Sequence, residues 1–245
     1  MESKEKNVLT ILLIIIVVVI IGIIGYLGYE VISQNSKQKH SEEISDEFDR
    51  LVPTISEDEY EEQYGGESNP QESPQPSEPE KQSNGSEGGT GSSSAKRASS
   101  GGSSGASTVS IGGYWVMGTI RIPATGIKYS ILSTPTRQAL ERGVAVLYTA
   151  NGLNQPGNTV IVGHNYRNRL FFSKNKNLKN GDKVIIKDAS GLEITYTIYN
   201  KFTTNSEDAS FFQRDTNGKR EITLSTCTDQ GTKTGERIII FARAD

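Results

Sequence analysis

Glu221-Ile222-Thr223-Leu224-Ser225-Thr226-Cys227 reads as a strand that ends on the only cysteine of a 245-residue chain. Two further runs share its character. Thr159-Val160-Ile161-Val162-Gly163-His164 ends on one of the chain's two histidines, and Arg237-Ile238-Ile239-Ile240-Phe241 begins on an arginine. Short apolar runs rich in Val, Ile and Thr, bounded by turn residues, read as strands. Working outward, the same reading gives strands at 117–122, 127–132, 144–148, 182–187 and 193–199. Pro123-Ala124-Thr125-Gly126 makes a hairpin-like link between the first two. One short helix is expected over 136–142, with Pro135 near its start and Gly143 just past its end. Helical turns are expected near 171–178 and 208–212. About eight strands with two or three short helices predict a mainly β domain, a small barrel or sandwich.

A lone cysteine forms no internal disulfide, so Cys227 is either a buried small hydrophobe or a reactive thiol. The placement of Cys227, His164 and Arg237 at three strand ends favours the thiol. A thiol near its reference pKa of about 8.5 is mostly protonated at neutral pH. An imidazole takes its proton during attack or stabilises the thiolate. A guanidinium stays charged and holds a developing oxyanion. Other chemistries lack their motifs. The sequence has no Gly-rich phosphate loop, no His-Glu-x-x-His, no clustered Cys/His set for zinc and no Gly-x-Ser-x-Gly elbow. No metal or other cofactor is expected. Glu207, Asp208, Asp215 and Asp229 lack EF-hand spacing and read as solvated loop carboxylates. The basic residues are scattered without a stacking pattern of aromatics, which argues against nucleic acid.

The composition divides the chain in four. Residues 1–7 carry Lys4 and Lys6, and residues 8–29 are almost wholly apolar. About twenty-two such residues make roughly 33 Å of helix, enough to cross a bilayer. The next basic residue is Lys37, so the positive-inside rule puts the N-terminus in the cytoplasm and the remainder outside, on a single-pass anchor. A cleaved signal peptide is the rival reading, but Gly25-Tyr26-Leu27-Gly28-Tyr29 is a poor cleavage site. Residues 30–108 read as a disordered tether. Fourteen Asp and Glu lie between residues 41 and 80, and Ser and Gly dominate 83–107. A short helix or docking site near Ile44, Phe48 and Leu51 is the alternative to a solvated spacer there, and His40 is read as incidental. Residues 109–245 mix apolar, charged and turn residues as a folded domain does. They carry eighteen Lys and Arg against eleven Asp and Glu, so the domain is near +7.

Thr223-Leu224-Ser225-Thr226-Cys227, followed ten residues later by Arg237, resembles the signature of sortases, and so does Gly163-His164-Asn165 at a strand end. The Gly118-Thr119-Ile120-Arg121-Ile122-Pro123 opening and the Glu141-Arg142-Gly143-Val144 segment extend the resemblance over the folded part. It implies a membrane-anchored cysteine transpeptidase of Gram-positive bacteria with an eight-stranded β-barrel. His164, Cys227 and Arg237 would be catalytic, and Ser225, Thr226 and Asn165 would contact substrate. The implied substrates are proteins with a C-terminal sorting signal of the Leu-Pro-x-Thr-Gly type. The implied acceptor is an amine on a peptidoglycan precursor or a pilin. The Thr-Leu-Ser-Thr-Cys run and the ten-residue Cys-to-Arg spacing are shared with class B and class D members, whereas the short 201–220 connection lacks the longer helical insertion usual in class B, so the resemblance leans to a class D or class B-like member. Two rivals stay open at this level. One is another envelope cysteine peptidase or an L,D-transpeptidase, and the other is a non-catalytic tethered barrel that binds the wall.

Overall fold

A computed structural model describes residues 2–64, 107–166 and 169–245. In chain order its elements are α1 (Glu2–Leu51), α2 (Glu57–Tyr64), β1 (Val109–Ile111), β2 (Tyr114–Ile122), β3 (Ile127–Leu132), α3 (Arg137–Leu140), β4 (Val144–Thr149), β5 (Gly157–Val162), β6 (Lys183–Asp188), β7 (Glu193–Thr204), β8 (Arg220–Cys227), α4 (Gly231–Thr234) and β9 (Arg237–Ala244).

The strands form one sheet in the order β1-β2-β3-β4-β5-β8-β9-β7-β6, and pairing of β6 with β2 closes β2–β9 into an eight-stranded barrel. Closure removes the free edges that an open sheet would expose. Among the described strands only β3–β4 and β5–β8 pair in parallel. Strand β1 lies outside the ring, paired with β2 through a Gly112-Gly113 turn. The alternation of each strand sends one set of side chains inward. Ile120, Ile131, Ile161, Phe172, Ile186, Tyr196, Leu224 and Ile240 fill the interior and are almost wholly buried. Each such side chain contributes about 1.5–3 kcal/mol. A smaller apolar layer of Val160, Phe211 and Ile239, flanked by Phe202, Phe212 and Phe241, forms a separate cluster.

The strands at 127–132, 182–187 and 221–227 sit within a residue of where the sequence places them. Strand β7 is longer than expected, running on to Thr204 past an irregularity between Ile198 and Asn200. The expected helix over 136–142 shrinks to one capped turn, with the Thr136 hydroxyl accepting from the Ala139 amide. The turn near 171–178 is a 3-10 segment at Asn175–Asn177, and residues 208–212 hold only turns.

The larger difference is at the N-terminus. Among the described residues one helix is long and apolar enough to cross a membrane, and residues 11–24 stand exposed along it apart from protein contacts. That helix does not give way to a spacer at residue 30. It continues to Leu51, about 75 Å in all, and its last turns dock on the barrel. Ile44, Phe48 and Val52 recur at helical spacing and are buried with Ile111, Val116 and Leu132. The Ser45 and Ser130 hydroxyls lie 3.0 Å apart, and both are buried. Lys187, only 5% exposed, donates to the Val52 carbonyl at 2.9 Å and pairs with Asp49 at 2.6 Å. Lys128 pairs with Asp46 and Asp49 at 2.9 and 3.0 Å. Beyond the helix, Ile55 bridges to Leu192, and Ser56 and Glu59 exchange the hydrogen bonds of a capping box at the start of α2. The remainder of the expected tether, residues 65–106, lies outside the described residues.

Candidate active site

Sheet register brings the three strand-end residues side by side. Strand β5 runs parallel to β8 with Val162 opposite Ser225, and the Gly163 amide donates to the Ser225 carbonyl at 3.2 Å. His164 therefore leaves β5 level with the end of β8. On the other side, Cys227 and Arg237 are direct partners across the antiparallel β8–β9 pair. Directly opposed residues project to the same face. The order His164, Cys227, Arg237 thus spans three adjacent strands, and all three side chains are half-buried.

Two side chains lock this row. Thr226 donates its hydroxyl to the Gly163 carbonyl at 2.7 Å. Asn165 donates to the Cys227 carbonyl at 2.9 Å and to Asp229 Oδ1 at 3.1 Å, and Lys176 holds the same carboxylate at 2.6 Å. Ser225 and Thr226, expected at a substrate groove, are each 2% exposed. The contacts of Thr226 and Asn165 tie the β5 and β8 ends together.

Two glycines leave the space the row needs. A Cβ at Gly163 would meet Phe172 and Val144 at 2.9 Å. A Cβ at Gly231, in the turn between β8 and β9, would lie 2.3 Å from the Glu236 carbonyl oxygen and 2.9 Å from the Cys227 Cβ. The backbone of that turn is held by the Thr228 amide on the Glu236 carbonyl at 3.0 Å.

Burial is the main reason that the His164 imidazole is held below its ordinary pKa. The Glu141 carboxylate opposes this, and the Lys37 and Arg137 cations add to it. A neutral imidazole at physiological pH is able to accept a thiol proton. The ring packs against Tyr166 with centroids 4.8 Å apart. Tyr166 donates its hydroxyl to Glu141 at 2.8 Å, and Lys37 pairs with Glu141 at 2.5 Å. Sequence reasoning missed Tyr166 and Lys37 as neighbours of the site and quoted Glu141 only within a motif. Their meeting depends on a helix and two loops far apart in the chain. Among the described residues no group of three or more His, Cys, Asp and Glu side chains is placed to hold a metal ion.

A sequence model of the Sortase domain matches residues 120–245. No curated protein matches the chain. Among solved structures, sortase C from Clostridium perfringens is 22% identical over 53% of this chain and 70% of its own, with a TM-score of 0.46. The lid mutant of sortase A from Corynebacterium diphtheriae is 25% identical over 53% and 70%, with a TM-score of 0.48. A sortase D5 transpeptidase of Clostridium perfringens is 24% identical over 53% and 79%, with a TM-score of 0.47.

Proposed function

The chain belongs to the sortase family of cysteine transpeptidases, and we propose that it cleaves a Leu-Pro-x-Thr-Gly-like sorting signal at Cys227 and passes the acyl group to an amine. The observation that carries this reading is the row of His164, Cys227 and Arg237 on adjacent strand ends. The Cys227 sulfur attacks the carbonyl carbon of the scissile bond as its proton passes to His164. Arg237 stabilises the oxyanion of the tetrahedral intermediate. Collapse expels the leaving amine, which takes the proton from His164, and leaves a thioester. An acceptor amine then attacks the thioester, His164 accepts its proton, and the thiolate departs and is reprotonated.

The acceptor in this reading is an amine of a peptidoglycan precursor or a pilin. The apolar part of α1 is the anchor, with the N-terminus in the cytoplasm and the barrel outside. The β7–β8 connection holds only turns, which favours class D over class B. The test uses full-length protein in detergent with a quenched sorting peptide, with and without an added amine. Cys227→Ala is expected to abolish both cleavage and transfer. His164→Ala and Arg237→Ala should each lower kcat/KM by roughly a hundredfold or more, and the double variant little further. Arg237→Lys should also be poor, because an ammonium lacks the planar fork. Turnover by Cys227→Ala would refute the thiol mechanism.

A further inference from the structure

The Tyr166 ring stands where three separate parts of the chain meet. It lies against His164 at 4.8 Å and edge-on to Phe171 at 6.0 Å, and its amide donates to the Ser173 hydroxyl at 3.1 Å. Its hydroxyl is held by Glu141, just past α3. Lys37 of α1 completes the set, 2.5 Å from the second oxygen of Glu141 and 4.8 Å above the Tyr166 ring. Tyr26, Tyr29 and Lys37 of the same helix line one groove with Tyr166. Among the described residues no side chain hydrogen-bonds the His164 imidazole, and the Tyr166 ring packs against it.

Resting on the assignment of His164 as the acid–base group, we propose that Lys37, Glu141 and Tyr166 are positioning residues that transmit the seating of α1 to the imidazole. The half-buried charge of Glu141 is shared between one donor from the active-site loop and one from the anchor helix. A carboxylate accepting both is fixed more firmly than one accepting either. It fixes Tyr166, and Tyr166 fixes the plane of His164. Lifting α1 removes Lys37, loosens Glu141 and frees the ring that the imidazole rests on. The enzyme is then fully active only while its membrane-proximal helix is docked.

The charged and titratable groups around His164 are Arg137 on α3 and Glu141 just past it, Lys37 on α1, Tyr166 in its own loop, and Cys227 and Arg237 on the neighbouring strands. Glu141 favours the imidazolium, whereas Lys37 disfavours it. The two ends of the relay therefore act on His164 with opposite sign. Opposed shifts report that both charges stand beside the imidazole, whereas the positioning role itself is read from Tyr166→Phe, which leaves both charges in place.

The experiment uses full-length protein in detergent with carbon-13-labelled histidine. The chain has only His40 and His164, so one His40→Gln variant assigns the signals. Glu141→Gln is expected to move the His164 titration to lower pH, and Lys37→Met to move it to higher pH. The rate of Cys227 alkylation by iodoacetamide should follow the same two directions. Tyr166→Phe should lower kcat about fivefold at unchanged KM, the effect of one hydrogen bond. Thermal melts check that each variant is folded. Titrations that move together, or do not move, overturn the placement of the two charges beside His164, and an unchanged kcat in Tyr166→Phe overturns the relay. Opposed shifts in an enzyme whose His164→Ala variant still transfers acyl groups would instead overturn the role of His164, and the inference with it.

Discussion

The thiol of Cys227 depends on the missing side chain at residue 231. With the Glu236 carbonyl 2.3 Å and the Cys227 Cβ 2.9 Å from where a methyl would sit, Gly231→Ala must displace the β8–β9 turn. The displaced atoms include those of Cys227, the proposed nucleophile, and a shift of about an ångström is enough to cost a hundredfold in rate. Gly231→Ala is therefore expected to lower kcat/KM by roughly ten- to a hundredfold while the melting temperature falls only a few degrees. Peptide cleavage and a thermal melt on the same sample check it, and full activity would show that the turn yields freely. At this scale the sequence was informative about the row of strand ends, because Cys227, His164 and Arg237 each end or begin an apolar run. It was silent about what supports them. Nothing in the spacing of Lys37, Glu141 and Tyr166 says that they meet, since that contact forms only when a helix and two loops converge on one corner of the barrel.

The docked part of α1 shows how an element escapes a reading by composition. Most of residues 30–51 are polar or charged, which suits a solvated spacer. The apolar minority decides otherwise, because Ile44, Phe48 and Val52 fall at intervals of four and make one narrow stripe. Phe48 has no exposed surface, so Phe48→Ala should cost about 3–5 kcal/mol. A urea melt should show this, and a cost below about 1 kcal/mol would mean that the helix is only loosely seated. The strands were easier to read. Dense Val and Ile between turn residues marked β3, β6 and β8 closely. Strand β1 was missed because three residues carry almost no periodic signal, and the last residues of β7 were missed because Asn200-Lys201 interrupts the apolar run. Register could not be read from the runs, since it depends on which strands pair, and closure into eight strands was legible only through the resemblance to sortases.

Across the whole molecule, residues 30–64 are part of the folded unit. A chain beginning at residue 109 would lose the cover of Ile111 and Val116 and strip the buried Lys187 amine of both Val52 and Asp49. Its melting temperature should lie at least about 5 °C below that of a chain beginning at residue 33. The gap should depend on pH. Burial pushes the Asp49 carboxyl up, but bonds from Lys187 and Lys128 outweigh it and hold the group below its usual range. A carboxyl depressed in the folded state stabilises fully above its ordinary value, near 4, and the benefit is lost as the pH falls through the folded value. The gap between the two chains should therefore narrow below about pH 4, and a gap that widens there would contradict the role of Asp49. The unbroken run of α1 from its apolar stretch into the docked stretch also fixes a height. Lys37 lies eight positions past Tyr29, a rise of about 12 Å along the helix, so with the apolar stretch in a bilayer as proposed, the His164 corner that Lys37 reaches through Glu141 and Tyr166 would stand close to the headgroups, like a blade on a depth gauge. Such a gauge selects targets by where the scissile bond stands above the lipid. A motif about four extended residues from the target's own span is already level with it, while one displaced by some twenty residues has to bend back to be cut.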